Sequence, residues 1–89
     1  MYTGQIRIIN RLGLHARAAA KFVSLASTFA SDIQLERDGR QVNGKSIMGV
    51  MMLAASQGTE LSLIIDGEDE DEAARQLTDL VNDYFGEGQ

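Results

Sequence analysis

The sequence predicts an α+β fold in which one antiparallel sheet carries its helices on a single face. Two observations support this prediction. The spacing of apolar residues switches between a period of two and helical spacing, which gives the element order βαββαβα. The dipeptide Asp38-Gly39 is typical of a two-residue hairpin, so the strands beside it are antiparallel neighbours. We expect one domain over residues 1–89, because the 44% hydrophobic residues suffice for one modest core.

The first strand and the first helix meet at the chain's only histidine, His15. The segment Gln5-Ile6-Arg7-Ile8 alternates with period two and predicts a half-buried strand. Apolar residues from Ala16 onward follow helical spacing, and they predict an amphipathic helix. The core-facing positions of this helix are Ala19, Phe22, Val23, Ala26 and either Phe29 or Ala30.

Two short strands and a short second helix follow. Residues 32–36 alternate again, and residues 40–43 form the partner strand of the hairpin. The break after Asn43 places Ser46 as the N-cap of a helix from Ile47 to about Leu53 or Ala54. The apolar residues of this helix nearly encircle it, so some of them should stay exposed.

The last strand and the last helix complete the pattern. Residues 60–65 read as a fourth strand, and a helix is expected from about Asp69 to Phe85 with Gly86 as its stop. Its core-facing residues are Ala73, Leu77, Leu80, Val81 and Tyr84. The acidic run 68–72 lacks the ligand spacing of a calcium loop, and compensation of the helix dipole explains it better.

The net charge of −5 is unevenly distributed. Residues 1–50 hold seven basic and three acidic residues, whereas residues 51–89 hold one basic and ten acidic residues. The half that contains His15 therefore favours an acidic partner surface. The alternative is that both charge runs are simply solvated surface.

Composition argues against several classes of function. Without cysteine there is no disulfide and no thiolate site, and no motif calls for a metal or a cofactor. No segment has the ~18 consecutive apolar residues of a membrane span and no signal peptide is visible, so we expect a cytoplasmic protein without membrane insertion. A self-contained enzyme is not expected, because no nucleotide loop and no second catalytic base are present. An RNA-binding module would fit the topology, but the acidic balance and the strands without aromatic residues argue against nucleic acid.

Two interpretations of His15 stay open on the residues alone. A lone histidine is commonly a surface or packing residue. In this chain, however, Gly13 permits close backbone approach, a helix N-terminus follows, and Arg17 lies within reach of an anion. These features favour a phosphoryl acceptor, since a covalent carrier needs one nucleophile, a phosphate cradle and a docking surface.

Two motifs carry a resemblance that covers the whole chain. The segments Gly13-Leu14-His15-Ala16-Arg17 and Lys45-Ser46-Ile47-Met48-Gly49-Val50-Met51, with this length and element order, resemble the HPr phosphocarrier family of the bacterial phosphotransferase system. The resemblance implies an open-faced β-sandwich with strand order 1-4-2-3 and three helices on one face. It also implies a phosphoryl group taken from phosphorylated enzyme I and passed to a histidine of an enzyme IIA protein.

The resemblance also assigns roles to residues of this chain. Phosphorylation at Nδ1 is carried to His15, and phosphate stabilisation is carried to Arg17 and the backbone amide of Ala16. Ser46 matches the serine that an HPr kinase/phosphorylase modifies in bacteria that possess one. The partner-binding face of the family corresponds to Ala20, Ser24, Ser27, Ile47, Met48, Met51 and Met52, of which Met48 and Met52 are the residues most expected to be exposed.

The sequence departs from the family pattern at Ala18, where proline commonly follows the arginine. Alanine is more flexible there, and it offers one further N–H to the site. The sequence does not decide between a carrier of the sugar branch and a nitrogen-type regulatory carrier that acts by phosphorylation-dependent binding, for example to a transcriptional regulator. In either case we expect a monomer.

Overall fold

Four strands and three helices follow the predicted order in the computed structural model, which describes residues 1–89. The strands are β1 (Tyr2–Arg7), β2 (Asp32–Arg37), β3 (Arg40–Asn43) and β4 (Glu60–Asp66). The helices are α1 (Ala16–Ala26), α2 (Ile47–Met51) and α3 (Glu70–Asn82), and a 3₁₀ turn spans Tyr84–Gly86. None of the helices has the length and apolar character needed to cross a membrane.

The sheet has the order β1-β4-β2-β3, and every neighbouring pair is antiparallel. β4 lies in the middle, where Leu61 faces Ile6 of β1 and Leu63 faces Leu35 of β2. Leu35 also pairs with Val42 across the β2–β3 hairpin. Both the predicted sheet order and the predicted hairpin are therefore confirmed.

One face of the sheet is buried beneath the helices. Alternate residues of β4 are buried, whereas Ser62 and Ile64 between them are half-buried. This period of two indicates a sheet with one core face and one face nearer to solvent. The helices cover it with the buried residues Ala18, Ala19, Phe22, Val23, Ala26, Val50, Ala73, Ala74, Leu77 and Val81.

Asp69 connects the start of α3 to the turn before β2. Its carboxylate accepts hydrogen bonds from the backbone N–H groups of Ala30 and Ser31, at 2.8 and 3.0 Å, and from the Ser31 hydroxyl. The Ser31 hydroxyl bond and the Ala30 amide bond hold the pKa of Asp69 below its ordinary value. Glu70, Asp71 and Glu72 occupy the first turn of α3, as helix-dipole compensation predicts.

The C-terminal end of α3 differs from the prediction. The helix ends at Asn82, and Tyr84 and Phe85 both adopt positive φ, at 59° and 52°. This turn leaves Tyr84 37% exposed and buries Phe85 completely, so the core position assigned to Tyr84 is wrong. A helical period cannot anticipate two left-handed residues, because such a turn rotates every later side chain.

The other two helices are also shorter than the apolar pattern indicates. α2 ends at Met51, and the guanidinium of Arg37 donates to the carbonyls of Leu53 and Ala54 beyond it, at 2.8 and 3.0 Å. α1 ends at Ala26, and of the two alternatives after it Phe29 is buried and Ala30 is exposed.

Candidate functional site

His15 is the N-cap residue of α1 and has an extended backbone, with φ −73° and ψ 177°. Its carbonyl accepts the first helical hydrogen bond, from the N–H of Ala19 at 2.9 Å. The N–H groups of Ala16, Arg17 and Ala18 therefore lie in the first turn, where a helix offers them no acceptor. Three donors and the positive end of the helix dipole lie beside the imidazole, and this arrangement favours an anion there.

The loop before His15 is held against the segment that follows α2. The N–H of Leu14 donates to the carbonyl of Ala55 at 2.8 Å, and Gly13 has φ +69°. A Cβ at Gly13 would lie 2.6 Å from that same carbonyl oxygen. Glycine is thus required twice, for the left-handed backbone and for the close approach.

The C-terminal segment reaches the histidine. Oε2 of Glu87 lies 2.5 Å from Nε2 of His15, and Oε1 accepts from Nδ2 of Asn10 at 3.0 Å. Nδ2 of Asn10 also donates to the carbonyl of Gly13 at 2.8 Å. The side chain of His15 is 28% exposed and that of Glu87 is 13% exposed, so this pair is largely shielded from solvent.

The charge of Glu87 is stabilised by its neighbours. Burial alone would raise the pKa of Glu87, but hydrogen bonds from His15 and Asn10 and the nearby positive charge of Lys21 hold the pKa below its ordinary value. A carboxylate accepts hydrogen bonds only, so it orients the imidazole with a proton on Nε2. Nδ1 makes no capping bond to α1, and it is therefore the ring nitrogen that remains available.

His15 and Glu87 line a cleft of about 470 Å³. Three cationic side chains, Arg11, Arg17 and Lys21, line the same cleft. Lys21 also donates from Nζ to the carbonyl of Phe85 at 2.8 Å. The structure thus brings together the three predicted site residues at the start of α1, and the charge of the cleft suits a phosphoryl group. No group of three or more potential metal-ligating side chains occurs in the chain.

Ser46 lies outside this cleft, at the start of α2. Its Oγ accepts a hydrogen bond from the N–H of Gly49 at 3.1 Å, which confirms the predicted N-cap. Of the predicted partner-binding residues on α1 and at its C-cap, Ser24 and Ser27 are exposed and Ala20 is half-buried.

Beyond Ser46, four apolar side chains form an exposed surface that we call the α2 patch. The exposed fractions are 73% for Met48, 58% for Met52, 43% for Ile47 and 39% for Met51. The expected exposure of Met48 and Met52 is therefore confirmed, and Val50 is the residue of this helix that enters the core.

Sequence reasoning missed Asn10 and Glu87, which fix the ring of His15. Glu87 is 72 residues away from His15 and lies beyond the residue predicted to end the last helix. Asn10 carried one signal in the sequence. It follows the apolar residues Ile8 and Ile9 and directly precedes a loop, and a polar side chain in such a position commonly forms hydrogen bonds with the loop backbone. No local pattern marks Glu87, because its position depends on the turn at Tyr84 and Phe85.

Comparisons with known proteins agree with this fold and give the family of the chain. Residues 2–83 match the family described as PTS-HPr, the PTS HPr component phosphorylation site. The phosphocarrier protein HPr of Neisseria meningitidis serogroup A is 57% identical over 89 residues, which is all of both chains. The crystal structure of HPr-C-His from Thermoanaerobacter tengcongensis superimposes with a TM-score of 0.94 at 50% identity and covers 98% of each chain.

A third relative has a regulatory description. The crystal structure of Crh, the catabolite repression protein of Bacillus subtilis, has a TM-score of 0.76 at 49% identity, covers 94% of this chain and 97% of its own, and is a dimer with a swapped domain. Together these matches define the class of the protein as a phosphocarrier of the phosphotransferase system. Within that class, the chain belongs to the HPr family.

Proposed function

We propose that His15 accepts a phosphoryl group on Nδ1 from phosphorylated enzyme I and passes it to a histidine of an enzyme IIA protein. The observation that carries this proposal is the ring geometry: Nε2 is engaged by Glu87, and Nδ1 is left available at the N-terminus of α1. The chain acts in the cytoplasm as a monomeric carrier with no turnover of its own.

In the forward step, the Nδ1 lone pair attacks phosphorus while the bond between phosphorus and the donor nitrogen breaks. The donor imidazole keeps that electron pair, and the proton on Nε2 of His15 stays in place. Arg17 and the N–H of Ala16 stabilise the charge on the transferred oxygens. The same groups hold the phosphohistidine until an acceptor imidazole displaces it.

The test is incubation with enzyme I, magnesium and phosphoenolpyruvate, followed by intact mass measurement. Wild type gains one acid-labile phosphoryl group, and Arg17→Ala gains it more slowly because a cation is missing from the cleft. Ser46→Ala is the matched control and gains it at the wild-type rate. An undiminished gain in His15→Ala would overturn the proposal.

Regulation at Ser46 is a second part of the proposal. A phosphate added there by an HPr kinase/phosphorylase brings roughly −1.5 to −2 charges to the edge of the α2 patch. The docking face combines that patch with Ala20, Ser24 and Ser27, and an acidic partner is repelled from it. Ser46→Asp should therefore slow phosphoryl transfer from enzyme I, whereas Ser46→Ala should not. Equal rates for the two variants would count against this regulation.

A nitrogen-type regulatory carrier is the second candidate function. The 49% identity to Crh, which is described as a catabolite repression protein, supports a regulatory output and carries no information on the nitrogen branch. Its output would be binding of a transcriptional regulator according to the phosphorylation state of the carrier. Pull-downs with the unmodified, His15-phosphorylated and Ser46-phosphorylated forms separate the two candidates, since capture that is indifferent to phosphorylation would count against the regulatory one.

A further inference from the structure

We infer that Glu87 is a positioning residue, which holds a proton on Nε2 of His15 and thereby selects Nδ1 as the phosphoryl acceptor. This inference deepens the proposed function and rests on it. Its basis is the 2.5 Å contact between Nε2 and Oε2 of Glu87, in a pair whose carboxylate is only 13% exposed.

The segment that carries Glu87 is fixed on both sides. Before Glu87, the Phe85 ring is completely buried in the core, and Lys21 donates to the Phe85 carbonyl at 2.8 Å. After Glu87, the N–H of Arg11 donates to the carbonyl of Gln89 at 3.1 Å. The contact with His15 is therefore part of a held turn, unlike an ion pair between two mobile surface side chains.

The carboxylate itself is held by a second partner. Nδ2 of Asn10, a completely buried residue, donates to Oε1 of Glu87 at 3.0 Å and to the carbonyl of Gly13 at 2.8 Å. Asn10 thus links the carboxylate to the loop that leads into His15. With both oxygens engaged, Glu87 presents one acceptor in one direction to the ring.

The proton balance of phosphoryl transfer explains what this contact achieves. The neutral ring with its proton on Nε2 has its lone pair on Nδ1, which is the atom that attacks phosphorus. After the new bond between Nδ1 and phosphorus forms, the ring carries a positive charge and keeps the Nε2 proton. Glu87 accepts that proton's hydrogen bond before and after transfer, and it stabilises the cationic ring.

Glu87 is also the only acidic residue that lines the cleft. The other charged side chains there are Arg11, Arg17 and Lys21, all of which oppose a cationic ring. One carboxylate against three cations allows the cleft to attract a phosphoryl group and still tolerate the phosphoimidazolium. This division of roles distinguishes Glu87 from the residues that contact the phosphate.

The first test uses the unphosphorylated protein and therefore does not depend on enzyme I. Nitrogen-15 NMR of the His15 side chain reports which ring nitrogen carries the proton when the ring is neutral. Wild type should show the Nε2–H form, and Glu87→Ala should shift the ratio towards Nδ1–H by about threefold to tenfold, the effect of one lost hydrogen bond. Glu87→Gln keeps an acceptor oxygen and should retain the wild-type form. Asp83→Ala removes an exposed acidic residue outside the cleft and is the matched control.

The second test measures phosphoryl transfer from enzyme I. Glu87→Ala should accept the phosphoryl group about tenfold more slowly, as expected for a lost charge-assisted hydrogen bond, and Glu87→Gln should recover part of the rate. A wild-type tautomer ratio and a wild-type rate in Glu87→Ala would overturn the inference. A wild type that gains no phosphoryl group, while Glu87→Ala still shifts the tautomer, would overturn the proposed function and leave the orientation of the ring by Glu87 supported.

Discussion

At the scale of single residues, backbone conformation matters as much as side-chain chemistry at this site. His15 faces the N–H groups of α1 because the loop before it turns through a left-handed glycine. Gly13 also leaves no room for a Cβ beneath the carbonyl of Ala55. The imidazole of His15, the proposed phosphoryl acceptor, is therefore placed by a residue that has no side chain.

We expect Gly13→Ala to lower the free energy of unfolding by about 2–3 kcal/mol, since backbone strain and a steric clash act together. Gly39→Ala is the matched control: its φ is +83° but a Cβ there would meet nothing within 4 Å. The control should lose only the strain contribution, about 1 kcal/mol. Urea denaturation measures both. Equal losses for the two variants would show that the contact with Ala55 imposes no cost.

Ala18 should tolerate the proline that commonly follows the arginine in this family. Ala19 is the first residue whose N–H donates a hydrogen bond within the helix. Ala18 precedes it in the sequence, so Ala18→Pro removes no helical hydrogen bond. The free energy of unfolding should stay within about 1 kcal/mol of wild type in urea denaturation. The phosphohistidine lifetime should shorten, because one N–H is lost beside the ring. Ala19→Pro, which does lose a helical bond, should destabilise the fold clearly and serves as the comparison.

At the scale of elements, side chains at the helix starts bind backbone N–H groups, either within the same helix or in a distant segment. Ser46 caps α2, and Asp69 ties the start of α3 to the turn that enters β2. Both contacts satisfy backbone N–H groups that would otherwise lack acceptors.

Ser46→Ala should lower the free energy of unfolding by about 1 kcal/mol, because the N–H of Gly49 loses its acceptor. Ser46→Asp should retain most of the wild-type stability, since aspartate is also a good N-cap. Ser24→Ala, on the exposed face of α1, is the control and should change little. Thermal unfolding followed by circular dichroism would separate the three. Full stability in Ser46→Ala would contradict the role of the cap.

The contribution of Asp69 to stability should depend on pH. Its pKa in the folded protein lies below the unfolded value of 3.8, so the contribution is fully present above that value and is lost as the pH falls through the folded pKa. Asp69→Asn should be less stable than wild type near pH 7, and the difference should shrink towards about pH 2. Asp71→Asn, in the same turn of α3 but without the contact to Ser31, is the control. A constant difference across this range in urea denaturation would contradict the prediction.

Some parts of the structure could be predicted from the sequence, and others could not. β4 is predictable because the alternating apolar residues Leu61, Leu63 and Ile65 indicate which face of the strand is buried. The placement of His15 and Arg17 is predictable because it depends on a helix start within a few residues of both. The turn at Tyr84 and Phe85 is not predictable, since left-handed backbone at non-glycine residues is stabilised by the burial of Phe85 in a core assembled from distant segments.

At the scale of the whole molecule, charge is divided between the site and the rest of the surface. The net charge is −5, yet Arg11, Arg17 and Lys21 surround the cleft at His15. A local cationic surface on an acidic protein steers an acidic partner towards one face and repels it elsewhere.

The rate constant for phosphoryl transfer with an acidic partner should therefore fall as salt is added, by about tenfold between low and high ionic strength. Arg11→Gln should reduce this salt dependence, because one steering charge at the cleft is removed. Arg75→Gln, on α3 and paired with Glu72 and Asp79, is the control and should leave the salt dependence unchanged. Stopped-flow kinetics across a salt series measures both. Equal slopes for wild type and Arg11→Gln would contradict the steering role.

The contact between His15 and Glu87 also makes the orientation of the imidazole depend on a residue that is synthesised much later. A ribosome adds Glu87 72 residues after His15, so a nascent chain, or a chain cleaved before residue 87, carries the imidazole without the carboxylate that contacts it. The side-chain spectrum of His15 would thus distinguish a chain that contains Glu87 from one cleaved before it.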